Sequence, residues 1–223
     1  MADWARPPER VADTWVTYRQ TPLGVPPLYY GLPGHPSGQP SGRWHRKGEG
    51  YVQYLARSPV GAWAELVRQL TLRTSEQIET VHRRMWQVAV EAGDIADLST
   101  FAKYVECGLD PEIAVGDHAT SQRLADDLRA AGYSGVLSPS AALPDIDAPN
   151  LTLFGPRIEI VVDAAVPSRR NPDPGLWCFA TLLADRAGPP ADLLTRTRFL
   201  GAKHLGLELW RSSIAMGAAG LER

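Results

Sequence analysis

Residues 51–72 read YVQYLARSPVGAWAELVRQLTL, and this stretch decides the fold that the sequence predicts. Residues 51–56 are rich in aromatic and β-branched residues, which is typical of a strand. Ser58 and Pro59 then mark the start of a helix that we expect to run to about residue 72. The apolar residues spaced for one buried helix face are Trp63, Leu66, Val67 and Leu70.

One carboxylate in this stretch, Glu65, lies about 160–200° around the predicted helix from its apolar face, at about 100° per residue. One turn earlier stand Gly61 and Ala62, whose small side chains leave room for a ligand to approach. Tyr54 precedes Glu65 by a separation that suits a strand and a helix meeting at one pocket. The residue types alone favour a solvated helix glutamate for Glu65 and a core tyrosine on an alternating strand for Tyr54.

Outward from this stretch, the chain predicts strands at both ends and helices in the middle. Residues 1–13 are expected to form a loose arm, residues 14–19 a strand, and the Pro- and Gly-rich residues 22–50 a long loop. Thr74 and Gln77 match a capping box, and we expect a helix from there to about Gly93. The face assigned to that helix is Ile78, Val81, Met85 and Val88.

The second half of the chain continues with helices over residues 98–107 and 117–131, stopped by Gly108 and Gly132. Strands are predicted over residues 135–138, 151–154 and 157–163, and residues 167–175 have the composition of a linker. Residues 176–184 and 199–210 are short apolar stretches that could be strand or helix. Because strands, helices and strands follow one another without β-α-β alternation, we predict the α+β class.

Composition excludes several classes of function. The formal net charge of −2 gives no general attraction for nucleic acid. No G-x-G-x-x-G or G-x-x-x-x-G-K-[ST] motif is present, so neither a Rossmann nor a P-loop site is predicted. Cys107, Cys178 and the five histidines show no metal-ligand spacing, and we expect no metal. Without a signal-peptide pattern or an apolar run of membrane-spanning length, a cytoplasmic protein with no membrane contact is expected.

Four ordered segments carry polar or aromatic residues that a core would not require. They are Tyr18-Arg19, Gly42-Arg43-Trp44-His45, residues 51–56 leading into Ala62-Trp-Ala-Glu65-Leu, and Gly135-Val-Leu-Ser-Pro-Ser140. In this order and spacing they resemble the RES-domain family, over residues 14–157. The resemblance implies an ADP-ribosyltransferase-like split mixed β-sheet flanked by helices in one domain. It places the catalytic domain at residues 14–166, with residues 167–223 as an extension packed on it.

The resemblance implies that the chain consumes NAD as a toxin of a toxin–antitoxin pair. Departure of nicotinamide leaves positive charge on the ribose, so one well-placed carboxylate is the expected catalyst, and this role goes to Glu65. Arg19 is expected to hold the NAD diphosphate, because a guanidinium can bind it bidentately. Tyr54 is expected to stack on the nicotinamide. The resemblance adds no cofactor besides NAD as substrate.

Two further segments contribute candidates with open alternatives. Arg43 could share the diphosphate or pair with a surface carboxylate, and Trp44 could form a pocket wall or pack in the core. Ser140 is expected to position the ribose or Glu65 by hydrogen bonding, so alanine there should leave stability nearly unchanged. The residue two before it is usually aromatic in the family and the residue two after is often arginine. Here these are Ser138 and Ala142, so Ser138 is a competing assignment.

The sequence does not determine which molecule accepts the ADP-ribosyl group or which protein binds the chain. Water, phosphate or a protein could receive the ADP-ribosyl group, the last of these making the chain an ADP-ribosyltransferase. A catalytically silent interaction module that keeps the fold is the alternative from another class. The resemblance implies a cognate antitoxin of the Xre type and a possible homodimer within the complex, while the net charge of −2 predicts no direct contact with nucleic acid.

Overall fold

A computed structural model describes residues 4–27, 39–48, 52–144, 149–154 and 177–220. The strands are β1 (Glu9–Thr21), β2 (Val52–Leu55), β3 (Arg83–Asp97), β4 (Gly135–Ser138), β5 (Asn150–Phe154) and β6 (Trp177–Ala187). The helices are α1 (Pro59–Gln69), α2 (Ser75–Glu79), α3 (Phe101–Glu106), α4 (His118–Ala130), α5 (Leu193–Arg196) and α6 (Leu205–Gly220). A 3₁₀ turn (Pro111–Ala114) precedes α4. The predicted α+β class, a mixed sheet flanked by helices, is confirmed.

The long strand β3 organises the sheet because it pairs along both edges. β1 runs antiparallel to it from Glu9↔Asp97 to Thr21↔Arg84. The other edge is divided: β6 pairs antiparallel with residues 83–91, and β4 pairs parallel with residues 95–97. The sheet is therefore split at the point where β3 passes from β6 to β4.

The remaining strands lead back to β1. β4 pairs with β5 and β5 with β2, both antiparallel. Immediately after β2, Ala56 forms a bridge with Tyr18 of β1, with N···O distances of 2.7 and 3.0 Å. The path of paired strands thus returns to its start. Consistent with such curvature, one buried cluster receives a side chain from each of five strands: Trp15, Leu55, Val88, Leu137 and Leu151.

Helix α1 begins as its sequence predicts. The Ser58 side chain accepts a hydrogen bond from the Gly61 amide, and Pro59 occupies the first turn, where no intrahelical donor is needed. Trp63, Leu66 and Val67 are buried in a cluster with α2 and α5. The expected fourth member of the buried face, Leu70, is instead 47% exposed, because the helix ends one residue before it.

The predicted helix from Thr74 to about Gly93 is wrong beyond its first turns. The capping box of Thr74 and Gln77 is present, but α2 ends at Glu79 and β3 follows from Arg83. In β3 buried Val88, Val90 and Ala92 alternate with less buried residues, which is the two-residue period of a strand. Pairing with β1 and β6 on both edges stabilises this state over the helix.

Other predicted elements agree with the structure to within a few residues. α3, α4, β4 and β5 occur where expected, and Gly108 and Gly132 have φ values of 75° and 81°, the left-handed region that favours glycine. β1 begins at Glu9, so residues 9–13 belong to a strand and not to a loose arm. The strand predicted at 157–163 and the linker at 167–175 lie outside the described residues.

The structure shows which of the two apolar stretches near the C-terminus, residues 176–184 and 199–210, forms a strand and which leads into a helix. The first becomes β6, an integral strand of the sheet, and the second leads into α6. Among the described helices none is both long enough and apolar enough to cross a membrane.

Candidate active site

Glu65 faces away from the buried side of α1 and remains about a third exposed, at 36% for its side chain. Its Oε1 accepts two hydrogen bonds, from Ser140 Oγ at 3.2 Å and from Asn150 Nδ2 at 2.9 Å. Its Oε2 lies 3.8 Å from Nη1 of Arg68, beyond hydrogen-bond distance. Because Ser140 and Asn150 both donate to Oε1, they fix the orientation of the carboxylate. Neither of them donates a hydrogen bond to Oε2.

Ser140 is itself anchored by the backbone. Its Oγ accepts hydrogen bonds from the amides of Ala142 at 3.3 Å and Leu143 at 3.1 Å. Its carbonyl accepts from Nε2 of His204, and Nδ1 of the same imidazole accepts from the Leu207 amide, so the ring is neutral with its proton on Nε2. Burial accordingly lowers the pKa of His204, with neighbouring arginines adding to that effect.

The competing serine lies elsewhere. Ser138 is a buried residue of β4, paired in register with Asn150 of β5. That pairing places the first residue of β5 next to the loop that carries Ser140. Of the two candidate serines, Ser140 is therefore the one that contacts Glu65.

Tyr54 belongs to β2 and is connected to the Gly42–His45 turn. Its hydroxyl accepts from the Trp44 amide at 2.9 Å and lies 3.0 Å from Nδ1 of His45. A Cβ on Gly42 would come within 2.5 Å of that hydroxyl, so glycine is required for this close approach. Burial raises the pKa of Tyr54 well above its ordinary value and lowers that of His45. The phenol is therefore neutral at physiological pH.

Arg43 and Trp44 in this turn both have structural contacts. Trp44 is 1% exposed in the core, so burial favours the packing alternative for its indole. Arg43 is buried and donates to the carbonyls of Ile113 at 3.4 Å and Gly116 at 3.2 Å. Burial and the nearby charge of Arg68 lower the pKa of Arg43 to about 10, while Glu65 acts in the opposite direction. The diphosphate contact predicted for Arg43 stays a prediction.

Arg19 lies near the end of β1, beside the bridge that joins β1 to β2. Its Nη1 donates to Oε1 of Gln53 in β2. Burial lowers the pKa of Arg19 to about 10, so it stays charged at neutral pH. The strand closure at Tyr18 and Ala56 thus brings Arg19 next to the strand that carries Tyr54.

Sequence reasoning missed three residues of this site. Asn150 gave no signal, because its role depends on the pairing of β5 with β4. Arg68 could have been noticed, since it follows Glu65 by three positions on a helix and such residues are neighbours. His204 belongs to the C-terminal extension, residues 167–223, whose contacts with the rest of the chain the sequence did not predict. Within the described ranges no cluster of His, Cys, Asp and Glu is suited to hold a metal ion; that the chain binds none stays a prediction.

The fold and site define a class of protein: an α+β domain with a split mixed sheet and one oriented carboxylate at the meeting point of α1, β5 and the loop after β4. The RES domain family model matches residues 8–174. Since this is well over half of the chain, the chain belongs to the RES domain family.

The chain is similar to a curated protein and to a solved structure. A probable NAD(+) phosphorylase of Mycobacterium tuberculosis is 36% identical over 103 residues, which are 46% of this chain and 49% of that protein. The match therefore spans about half the length of this curated relative. The crystal structure of the M. tuberculosis MbcT–MbcA toxin–antitoxin complex contains a chain with a TM-score of 0.57 and 19% identity. The alignment covers 83% of this chain and 90% of that one, and it supports the fold.

Proposed function

We propose that this protein cleaves NAD at the bond between nicotinamide and ribose, with Glu65 as the catalytic residue. The observation that carries the proposal is the oriented carboxylate: Ser140 and Asn150 both donate to Oε1 and leave Oε2 directed elsewhere. Membership of the RES domain family and the name of the curated relative support NAD as the substrate.

The chemistry of the bond explains why one carboxylate suffices. The pyridinium of NAD leaves as neutral nicotinamide when the C–N electron pair returns to the ring nitrogen, so no acid has to protonate it. Positive charge develops on the ribose, and a fixed carboxylate stabilises it without reorganising during the reaction. Ser140 and Asn150 contribute by holding Glu65 in place, and Ser140 is not a nucleophile.

Arg19 and Tyr54 complete the proposed substrate contacts. Arg19 is a buried cation on the neighbouring strand and can bind the NAD diphosphate, while the neutral ring of Tyr54 can stack on nicotinamide. An antitoxin protein, of the Xre type by family resemblance, is the proposed partner; the solved structure that shares the fold is a toxin–antitoxin complex. A homodimer within such a complex is part of this proposal.

The test is release of nicotinamide from NAD by the purified chain. Glu65→Gln keeps an oxygen that can accept from Ser140 and Asn150 but removes the charge, so turnover should be lost while the thermal melt is unchanged. Glu79→Gln removes an exposed carboxylate of α2 and serves as the matched control. Wild-type turnover in Glu65→Gln would refute the assignment. Transfer of a labelled ADP-ribosyl group to a protein, with little free ADP-ribose, would make the chain a transferase; no turnover at all would favour the silent module.

A further inference from the structure

One face of helix α4 contacts the turn that holds the hydroxyl of Tyr54. Three polar residues of α4 share this face, with the spacing i, i+4 and i+7: Gln122, Asp126 and Arg129. The buried residues of α4 lie on another side of the helix: Ser121, Leu124, Ala125 and Leu128. None of the three polar residues is buried, so the packing of α4 in the core does not require them.

Gln122 joins the two ends of the turn. Its Nε2 donates to the carbonyl of Gly42 at 2.8 Å and to the carbonyl of His45 at 3.1 Å. The same two residues close the turn by themselves, with the Gly42 amide donating to the His45 carbonyl at 3.0 Å. A primary amide has two N–H donors, so one side chain can satisfy both carbonyls.

Arg129 and Asp126 contact the rest of this segment. Nη2 of Arg129 donates to the carbonyl of Trp44 at 2.7 Å. Oδ2 of Asp126 accepts from Nη1 of Arg46 at 2.7 Å in an exposed ion pair. Exposed ion pairs contribute little to stability, so the restraint on the turn comes chiefly from Gln122 and Arg129.

The restrained turn makes the contacts of the Tyr54 hydroxyl. That hydroxyl accepts from the Trp44 amide and lies next to Nδ1 of His45. Trp44 and His45 are also residues whose carbonyls accept from α4. A rotation of the turn would therefore move both contacts of the hydroxyl, and the phenol ring with them. The hydroxyl acts as an anchor, which leaves the ring to contact a ligand.

We propose that α4 positions Tyr54 for NAD through the Gly42–His45 turn, with Gln122 as the main positioning residue. This inference rests on the proposed cleavage of NAD, in which the Tyr54 ring stacks on nicotinamide. Stacking depends on the distance and the angle between the two rings. Loss of the Gln122 contacts should therefore weaken NAD binding more than it slows the chemistry at Glu65. Gln122 itself does not touch the substrate.

Gln122→Glu is the decisive variant, because it keeps the shape of the side chain and removes both donors. Its carboxylate would face two carbonyl oxygens, so the contact becomes repulsive. Arg123→Gln is the matched control: it is the next residue of α4, it is exposed, and both substitutions lower the net charge by one. Thermal melts show whether each variant keeps the fold. Gln122→Ala removes the donors without adding a charge and replaces Gln122→Glu if that variant does not fold.

The first readout needs no NAD. Because the His45 ring contacts the Tyr54 hydroxyl, its imidazole signals in an NMR spectrum report the position of the turn. These signals, assigned with His45→Gln, should shift in the Gln122 variants and in Tyr54→Phe. They should stay in place in Arg123→Gln. Unchanged His45 signals in the Gln122 variants would overturn the proposal.

Steady-state kinetics measure the effect on the substrate. The KM for NAD should rise about two- to tenfold in Gln122→Glu, the scale of one aromatic stacking contact, while kcat changes less and Arg123→Gln matches the wild type. If Gln122 acts through Tyr54, the rise in KM for Gln122→Ala combined with Tyr54→Phe should be smaller than the product of the two separate rises. Rises that multiply, or a KM equal to that of the wild type, would overturn the proposal.

The inference and the proposed function can fail separately. If the His45 signals shift as described but the wild type releases no nicotinamide from NAD, α4 positions Tyr54 and the proposed function is wrong. If NAD is cleaved and Gln122→Glu matches Arg123→Gln in both the His45 signals and the KM, the function stands and the role of Gln122 is wrong.

Discussion

The hydroxyl of Ser140 donates to Oε1 of Glu65 at 3.2 Å, although the two residues are 75 positions apart in the chain. The same oxygen of Ser140 accepts from two backbone amides of its own loop. The helix supplies the carboxylate, but the loop after β4 and Asn150 of β5 together determine its orientation. A glutamate held in this way is pre-organised, which is what stabilisation of a developing positive charge requires.

Ser140→Ala should lower both turnover and stability. The sequence predicted an almost neutral effect on stability, but alanine would leave the buried amides of Ala142 and Leu143 without their acceptor. The expected loss is about 1–3 kcal/mol of unfolding free energy, measured by denaturant titration alongside nicotinamide release. Ser138→Ala is the matched control and should retain turnover. Should Ser138→Ala be the inactive variant and Ser140→Ala active, the site serine has been assigned wrongly.

Asn150→Ala should lower kcat with little change in the KM for NAD. The hydrogen bond it removes goes to a charged group, and such bonds contribute about 1.5–3 kcal/mol, or roughly ten- to a hundredfold in rate. Since a carboxylate can only accept, the amide nitrogen of Asn150 faces Glu65, and its buried Oδ1 has no partner among the described residues.

Asn150→Asp provides a sharper comparison at the same position. It replaces the donor by a second carboxylate next to Glu65, so repulsion should reduce turnover further than alanine does. Steady-state kinetics of Asn150→Ala and Asn150→Asp measure this difference in turnover. An aspartate variant more active than the alanine variant would show that Asn150 does not act through Glu65.

Arg19→Ala should weaken NAD binding by about 1.5–3 kcal/mol, the usual contribution of a charge-assisted hydrogen bond. Calorimetry in the Glu65→Gln background separates binding from turnover. Arg19→Lys keeps the charge and should lose less affinity. Because Arg19 also donates to Gln53, a thermal melt of each variant is needed to detect a structural effect. Affinity equal to that of the parent protein would show that Arg19 does not hold the NAD diphosphate.

Stability should fall as the pH is lowered from 7 to 5. The pKa values of His45 and His204, whose side chains are buried, are lowered in the folded state, mainly by that burial. The unfolded chain therefore takes up protons below about pH 6.5 that the folded chain resists, and unfolding becomes easier by at most about 1.4 kcal/mol per pH unit for each such histidine. His204→Gln, which can still donate to Ser140, should flatten the curve. A pH-independent unfolding free energy in the wild type would contradict the burial of these rings.

Local signals in the sequence predicted some elements well. Ser58, Pro59 and the apolar spacing of Trp63, Leu66 and Val67 determine α1, and Asp117 caps α4 through the amides of Ala119 and Thr120. These features act within one or two turns, so a reader of the sequence can recognise them. The ordered motifs also located Glu65 and Ser140, which the structure brings into contact, and Tyr54, whose pKa the charge of Glu65 helps to raise.

The elements that sequence reasoning missed depend on distant partners. Ile78, Val81, Met85 and Val88 fit a helical period, yet Met85 and Val88 belong to β3, where Val88 pairs with Thr17 and Ala180 on either side. Nothing in residues 74–97 alone reveals strands that lie some 70 positions before and 90 after. Asn150 was missed for the same reason, because its contact with Glu65 depends on the pairing of β5 with β4.

The match to the RES domain family ends at residue 174, but β6 begins after it and covers residues 83–91 of β3. A protein shortened to the matched region would expose a row of unpaired N–H and C=O groups along most of its longest strand. Such an edge is a template for pairing with a second chain. The shortened form is therefore expected to self-associate or precipitate when it is expressed, and the smallest unit suitable for recombinant work extends at least through Ala187.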